Sequence, residues 1–302
     1  MSEQKPSGTA RGTAVLRALA NREFNDEQLG TDYMAEYFLP FLLRFLIKAK
    51  GFRKKVKDSI PPGMYEYLTA RTAYFDKLFV DALKVSIPQI VLLGAGYDTR
   101  AYRFSNLNKG TKIVELDAPE TQNLKKKILE KSKIEIPGNV VFISLNFDRD
   151  SLETALVKSG CDNDKRTLFI LEGVSYYLNP ESIDDIFEIV NKYSHSESGI
   201  ALDYVVSVPE EKLHNYYGVS ELLQAMEKRH PNEKGKFSIE EEQIESFFKQ
   251  RGLKIIENLT SSEIENRFLT SENGSTIGKI TEWFRFVMAS PTGAWNTIST
   301  GF

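Results

Sequence analysis

The fold of this chain is decided by residues 89–117, which read QIVLLGAGYDTRAYRFSNLNKGTKIVELD. An apolar run ends at the turn Gly94-Ala95-Gly96, and a second apolar run leads to an acid at Asp117. This order of strand, glycine turn, helix, strand and acid predicts the first βαβ unit of a nucleotide-binding α/β sheet.

The glycine turn and the acid have separate roles in such a unit. Gly94 and Gly96 allow a tight turn and let a ligand approach where a Cβ would clash. The helix that follows is expected to offer unpaired N–H groups and the positive end of its dipole. Asp117, at the tip of the second strand, can accept hydrogen bonds from a ribose diol. The alternative is that the glycines serve packing alone.

A third glycine is missing from this turn. Dinucleotide sites favour G-x-G-x-x-G, and the last position of that pattern is Thr99 here. The departure favours a nucleoside ligand without a pyrophosphate, such as S-adenosylmethionine.

The composition predicts a protein with a full apolar core and disfavours nucleic-acid and metal binding. The chain has 302 residues, of which 41% are hydrophobic and 27% charged, with a net charge of −3. It therefore has enough apolar residues for a full core and lacks the basic field that holds nucleic acid. The single cysteine, Cys161, fits a reducing cytoplasm. No pattern of histidines, cysteines and acids suggests a metal.

The N-terminal region predicts neither a signal peptide nor a membrane partner. Its first residues are polar. The longest apolar stretch, Tyr37 to Ile47, is too short to span a bilayer and predicts a core helix with charged flanks, broken or kinked at Pro40. Residues 1–12 are expected to be irregular, with a first helix over Thr13 to Arg22.

Further apolar runs extend the sheet. They predict strands over Val140–Leu145, Thr167–Leu171, Ile200–Val206, Leu253–Leu259 and Trp283–Ala289. The region from Thr260 to Lys279 is polar and is expected to be loop. The predicted fold is α/β, with a seven-stranded, mostly parallel sheet, helices on both faces and a helical cap. The expected layout is an N-terminal cap (1–84), a cofactor-binding core (85–204), an insertion or lid (205–235) and the C-terminal part of the core (236–290).

Several polar residues stand where strands of this sheet end. Asn146 follows the third strand, where it could read an adenine or simply form a turn. Glu172 follows the fully apolar fourth strand and is expected to face the ligand crevice. Tyr177 suits a pocket or the core equally well. Arg71 lies among apolar neighbours in the helix Met64–Lys84, and its pattern alone favours an exposed arginine over a paired one.

Seven stretches of the chain resemble one family. They are TARGTAVLRALA (9–20), GTDYMAEYFLP (30–40), TARTAYFD (69–76), LLGAGYDTRAYRF (92–104), ELDAPE (115–120), ILEGVSYYL (170–178) and RFVMA (285–289). In combination they resemble the S-adenosylmethionine-dependent methyltransferases of the leucine carboxyl methyltransferase family, in particular its microbial branch acting on small molecules. The resemblance covers nearly the whole chain and implies a Rossmann-like class I methyltransferase fold.

The resemblance also implies a site for S-adenosylmethionine and its product S-adenosylhomocysteine. The implied cofactor residues are Arg71, Gly94, Ala95, Gly96, Asp117, Asn146, Phe147 and Glu172. Arg71 would pair with the methionine carboxylate, which reverses the expectation from its local pattern, and Glu172 would face the amino end. Asn146 and Phe147 would hold the adenine, at a position where the family often has Asp-Leu.

The resulting hypothesis is O-methyl transfer to a hydroxyl or carboxyl group of a small molecule. Candidates for a base near the acceptor are Tyr177, Tyr204 and His214. The expected partner is a small-molecule acceptor, bound to a monomer or homodimer. Two alternatives remain, a nicotinamide-dependent oxidoreductase and a non-catalytic binding protein. The first is disfavoured because Tyr177 is followed by Glu181 where a Tyr-x-x-x-Lys pair needs lysine.

Overall fold

A single seven-stranded sheet runs through the protein, whose computed structural model describes residues 8–24, 30–192, 195, 197–229, 235–270 and 274–295. The strands are β1 (Gln89–Leu93), β2 (Lys112–Asp117), β3 (Val140–Ser144), β4 (Thr167–Leu171), β5 (Gly199–Val205), β6 (Lys254–Leu259) and β7 (Phe284–Ser290). Their order across the sheet is β3-β2-β1-β4-β5-β7-β6. Only β7 runs antiparallel to its neighbours, so the predicted mostly parallel sheet is confirmed.

The strand order creates a crevice. From β1 the chain moves outward to β3 and then returns to place β4 on the other side of β1. Ligands of open parallel sheets bind at such a reversal, beyond the carboxyl ends of the strands. β1 and β4 are buried along their whole length, as expected for strands covered on both faces.

Helices cover both faces of the sheet. They are α1 (Gly8–Phe24), α2 (Phe41–Leu46), α3 (Lys50–Asp58), α4 (Met64–Lys84), α5 (Arg100–Arg103), α6 (Pro119–Lys131), α7 (Leu152–Lys158), α8 (Pro180–Lys192), α9 (Val219–Arg229), α10 (Ile244–Gln250) and α11 (Ser261–Phe268). One face packs mainly against α1, α4 and α11, and the other against α7, α8 and α10. None of the helices in the described ranges is both long and apolar enough to cross a membrane.

The segment from Tyr37 to Ile47 differs from its prediction. The break at Pro40 is present, between a 3₁₀ turn (Ala35–Phe38) and α2. The predicted burial is wrong, because α2 has no buried residue and Phe41 is 87% exposed. Pro40 ends the preceding turn. Leu39, just before Pro40, and Ile47, just after α2, are the residues that reach the core. The helix between them lies on the surface.

Two other helices were misjudged from sequence. α1 begins at Gly8, inside the stretch expected to be irregular. α11 lies within the region expected to be loop, and its start is a capping box in which Thr260 and Glu263 cap each other's backbone N–H groups. The insertion 205–235 contains a 3₁₀ helix (Glu210–Asn215) and α9, and its residues 230–234 lie outside the described ranges.

Candidate active site

A cavity of about 630 Å³ lies at the carboxyl ends of β1, β2 and β4. Its lining includes all eight residues predicted to bind the cofactor, namely Arg71, Gly94, Ala95, Gly96, Asp117, Asn146, Phe147 and Glu172. The first turns of α1 also line it, through Thr9, Ala10, Thr13 and Arg17. The sheet edge thus brings together residues that lie far apart in the chain.

The glycine turn forms the floor of this cavity. Gly94 has a φ of +76°, and a Cβ there would lie 2.5 Å from Cγ2 of Val174. Gly94 is therefore required by both the backbone and the packing. The helix expected after the turn is the single turn α5, and Asp98 Oδ1 accepts from the Arg100 N–H at 2.7 Å. That N–H is not left for a ligand, in contrast to the sequence prediction.

Asp117 is held by the turn that it faces. Its Oδ2 accepts a hydrogen bond from the Gly96 N–H, and its Oδ1 accepts one from the Ala118 N–H at 2.6 Å. Burial raises the pKa of this carboxyl, although the two backbone N–H groups act in the opposite direction. Each carboxylate oxygen keeps a further lone pair for a ribose hydroxyl.

Arg71 is buried and paired. Its Nε donates to Glu172 Oε1 at 3.0 Å, and its Nη1 lies 3.4 Å from Asp203 Oδ2 and 3.3 Å from the Tyr176 hydroxyl. Its Nη2 makes no hydrogen bond or ion pair to any described residue. The side chain lines the cavity, so this nitrogen is free to bind a ligand carboxylate. The exposed arginine favoured by the local pattern is wrong.

Gly173 makes room for Arg71 and was not singled out from sequence. Its φ is +69°, and a Cβ there would lie 2.7 Å from Arg71 Nη1. Its N–H donates to Asp203 Oδ1 at 2.6 Å, and Tyr67 donates its hydroxyl to the other oxygen of Asp203. The available signal was the glycine that directly follows Glu172 at the end of an apolar strand.

Glu172 joins two arginines. Its Oε1 accepts from Arg71, and its Oε2 lies 2.7 Å from Arg100 Nη2. Arg100 is itself fixed by Asp98 at 2.6 Å and by Asp76 at 2.8 Å. The glutamate carboxylate is thereby held at the cavity wall, where its remaining lone pairs suit a ligand ammonium group.

The surroundings of Asn146 are compatible with both roles predicted for it, a turn residue and a contact to adenine. Its Oδ1 accepts from the Asp148 N–H at 3.0 Å, which makes it a turn residue. It also lines the cavity beside Phe147, and its Nδ2 has no hydrogen-bond partner in the described part of the chain. The amide N–H₂ is therefore the group available to an acceptor nitrogen of adenine, with the phenylalanine ring as apolar contact.

The three candidate bases lie in different places. Tyr177 lines the cavity, and its ring centroid is 4.8 Å from that of Tyr176. Tyr204 lies on the face of the sheet that packs against α7, α8 and α10, opposite to the face that carries α4. Its hydroxyl donates to Asn258 Oδ1 at 3.0 Å. His214 is exposed in the 3₁₀ helix of the insertion and does not line the cavity. Only Tyr177 is brought to the predicted cofactor residues.

Comparisons with known proteins identify the family to which the chain belongs. The sequence model of the family described as leucine carboxyl methyltransferase matches residues 10–191. A Bacillus subtilis protein, named as a candidate S-adenosyl-L-methionine-dependent methyltransferase, is 32% identical over 206 residues, which cover 67% of this chain and 66% of the relative. A Mycobacterium avium protein of the same description is 31% identical over 202 residues, or 65% of this chain and 64% of the relative. The matched region thus spans just under two thirds of these relatives' lengths.

Solved structures share the fold. A crystal structure from Thermobifida fusca, titled as that of a candidate methyltransferase, superposes with a TM-score of 0.60 at 16% identity and covers 96% of both chains. A protein from Streptomyces avermitilis gives a TM-score of 0.58 at 12% identity, over 92% of this chain and 96% of the other. At these identities the likeness concerns the fold alone, and it confirms the predicted Rossmann-like architecture.

Proposed function

This chain belongs to the leucine carboxyl methyltransferase family of S-adenosylmethionine-dependent methyltransferases, and from that premise we propose that it is a small-molecule O-methyltransferase. In this proposal the methyl group is transferred to a hydroxyl or carboxyl oxygen. The acceptor enters the cavity from the side of Tyr177, and the eight predicted cofactor residues hold the nucleoside.

The observation that carries the cofactor part of the proposal is the pair of opposite charges in one corner of the cavity. Arg71 offers a free Nη2, and Glu172 offers the remaining lone pairs of its carboxylate. An amino acid presents a carboxylate and an ammonium group, so the corner complements its charges. Asp117 and Asn146 line the same cavity and suit a ribose and an adenine. A nicotinamide dinucleotide has no amino-acid end for this corner.

The residues of the chain mainly position and enclose the reactants. When bound, S-adenosylmethionine supplies a methyl group that its positively charged sulfur already activates. Arg71, Glu172 and Asp117 would orient the two ends of the cofactor, which favours in-line attack by the acceptor. The helix α1 and Phe147 line the same cavity. In this proposal they would shield the reacting groups from water once the cofactor and the acceptor are bound.

The acceptor oxygen determines whether a base is needed. A carboxylic acid is already ionised at neutral pH and attacks without proton removal. A phenol or alcohol benefits from a residue that accepts or orients its proton. Tyr177 is the candidate that lines the cavity, so we assign it the role of holding the acceptor oxygen. Tyr204 and His214 have no part in this proposal.

Two experiments test the proposal in order. Calorimetric titration with S-adenosylmethionine and S-adenosylhomocysteine, with NAD and NADP as controls, should give binding of the sulfur nucleosides alone. Incubation with methyl-labelled S-adenosylmethionine and a panel of phenols and carboxylic acids should then give a labelled product. Mild alkali distinguishes the two acceptor classes, because it releases methanol from a methyl ester and leaves a methyl ether intact.

Each outcome has a defined meaning. Binding of NAD or NADP instead of the sulfur nucleosides would support an oxidoreductase. Tight binding of S-adenosylhomocysteine without transfer to any oxygen acceptor, but with transfer to an amine or thiol, would keep the methyltransferase and refute the choice of oxygen. Binding without transfer to any acceptor class would support a non-catalytic binding protein.

A further inference from the structure

An apolar and basic surface lies outside the cavity, on residues 37–57, which we call the 37–57 segment. Its side chains Phe41, Leu42 and Phe45 are 87%, 66% and 65% exposed. The segment contains no acidic residue and seven basic ones, Arg44, Lys48, Lys50, Arg53, Lys54, Lys55 and Lys57. Three of them pair with acids outside the segment, Lys54 with Asp58 at 2.6 Å and Arg53 and Lys57 with Glu23 at 3.7 and 2.9 Å. The local excess of positive charge therefore rests on the exposed Lys48, Lys50 and Lys55, in a chain whose net charge is −3.

The exposure of Phe41, Leu42 and Phe45 is built into the fold, because α2 is fixed at both ends. Phe38 stacks on Tyr97 with the ring centroids 4.7 Å apart, and the Leu39 carbonyl accepts from Arg44 Nε at 3.0 Å. At the other end Ile47 is fully buried, and its carbonyl accepts from Arg53 Nη1 at 2.8 Å. The residues between these fixed points are therefore held with their apolar side chains outward.

We propose that the 37–57 segment docks the protein on an anionic membrane surface. Exposed phenylalanine and leucine side chains enter the boundary between headgroups and acyl chains, and neighbouring lysines are attracted to anionic lipids. Lys48, Lys50 and Lys55 are exposed and can therefore attract anionic lipid headgroups. The proposal departs from the sequence-based expectation of no membrane partner and does not depend on the reaction.

Charge argues for a lipid surface over a second copy of this chain. A two-fold symmetric contact would place each basic segment against itself and bring like charges together. An acidic protein surface would satisfy the lysines, but it would leave Phe41 and Phe45 without the apolar surroundings that they need. An anionic bilayer offers both negative charge and hydrocarbon at one surface.

Docking would also place the cavity close to the membrane. Phe38 ends the 3₁₀ turn before Pro40, and its partner Tyr97 lines the cavity. The docking surface and the cavity wall thus share a packed contact, and an acceptor dissolved in the membrane would meet the protein on this side.

Vesicle flotation with the full chain tests the proposal. The wild type should float with vesicles of phosphatidylglycerol and phosphatidylcholine, remain below vesicles of phosphatidylcholine alone, and bind less as salt is raised. Phe41→Ser/Phe45→Ser and Lys50→Gln/Lys55→Gln should each weaken partitioning by on the order of tenfold. The substituted side chains are exposed, so thermal unfolding should stay at the wild-type temperature.

Matched controls come from other surfaces of the protein. Val157 is 61% exposed on α7, and Lys127 and Lys131 are exposed on α6. Val157→Ser and Lys127→Gln/Lys131→Gln should therefore bind vesicles as the wild type does. Absence of binding to the anionic vesicles, or binding unchanged by Phe41→Ser/Phe45→Ser, would overturn the proposal. A dimer that this variant dissociates, without vesicle binding, would assign the surface to a second copy instead.

Discussion

Arg71 Nε lies 3.0 Å from Glu172 Oε1, and this ion pair joins the middle of α4 to the end of β4. The two residues are 101 positions apart in the chain. Both side chains are largely buried, and their charges are compensated by each other and by Asp203 and Arg100. The ion pair fixes both side chains at the corner of the cavity that complements an amino acid, and groups fixed in this way cost little to order on binding.

Replacing Arg71 tests the amino-acid end of the site. Arg71→Lys keeps a positive charge near Glu172 but removes the planar donor Nη2 that faces the cavity. We expect the affinity for S-adenosylhomocysteine to fall by about 1.5–3 kcal/mol, the typical worth of a hydrogen bond to a charged group. Methylthioadenosine lacks the amino-acid end, so its affinity should change little. Calorimetric titration measures both.

A second buried arginine provides the control for this prediction. Arg285 pairs with Glu241 at 2.9 Å and does not line the cavity. Arg285→Lys should therefore leave both affinities unchanged. Equal losses for S-adenosylhomocysteine and methylthioadenosine in Arg71→Lys would mean that Arg71 supports the fold and does not bind the amino-acid end.

The position of the site could be predicted because parallel strands end at one edge. Gly94 and Glu172 directly follow strands and Asp117 is the last residue of one, so their convergence required only the strand assignment. The partners of Arg71 could not be predicted, because Glu172, Tyr176 and Asp203 lie more than 100 positions away in the chain. Of the two neighbours on β5, Asp203 contacts Arg71, and Tyr204, a candidate base from the sequence, lies on the other face of the sheet. Adjacent residues of a strand point to opposite faces, and the sheet packing decides which one meets α4.

Apolar residues misled the prediction where they are exposed. Phe41, Leu42 and Phe45 were assigned to the core because apolar side chains are usually buried. Their exposure follows from Pro40 and from the buried neighbours Leu39 and Ile47, a competition that local sequence does not reveal. For α11 the signal was present and overlooked, since Thr260 and Glu263 stand at capping-box spacing.

Gly173→Ala should disturb the site through Arg71. The new Cβ would lie 2.7 Å from Arg71 Nη1, in a backbone with φ of +69°. Gly274→Ala is a matched control, because its φ is +79° and no atom of the residues that the structure describes lies within 4 Å of the added Cβ. Both variants should lose about 1 kcal/mol of stability from backbone strain. Only Gly173→Ala should lose more stability than this and bind S-adenosylhomocysteine more weakly than the wild type.

Denaturant unfolding measures the stability of the two glycine variants, and calorimetric titration measures their affinity for S-adenosylhomocysteine. If Gly173→Ala and Gly274→Ala lose the same stability and both keep wild-type affinity, Arg71 does not need the space that Gly173 leaves.

The buried pair of Lys125 and Glu115 should matter for stability alone. Lys125 Nζ contacts Glu115 Oε2, and both side chains are 1% exposed. Lys125→Met leaves the glutamate buried without its partner, which costs about 3–5 kcal/mol. Lys125→Met/Glu115→Gln should recover much of that loss, and Lys127→Met on the exposed side of α6 should cost little. Urea unfolding measures the series, and a single variant as stable as the wild type would contradict the pairing.

Binding of S-adenosylhomocysteine should weaken in acid because of Asp117. Burial raises the pKa of this carboxyl above its ordinary value of 3.8. The ionised form accepts hydrogen bonds from the ribose, so affinity should be constant near neutral pH and should fall as the pH drops through the raised pKa. The contribution of Asp117 to the free energy of unfolding changes in the opposite direction and rises as the pH falls. With a raised folded pKa, the folded state binds more protons than the unfolded state in this window, and acidification therefore relieves a cost of folding.

Asp117→Asn separates this titration from that of the other acids in the cavity. The amide keeps one acceptor and carries no charge, so its affinity should be lower at neutral pH and should lack the acidic decline that belongs to Asp117. Calorimetric titrations of both proteins across the acidic range give the comparison. Parallel declines in the wild type and the variant would show that another group, and not the acid at the end of β2, causes the pH dependence.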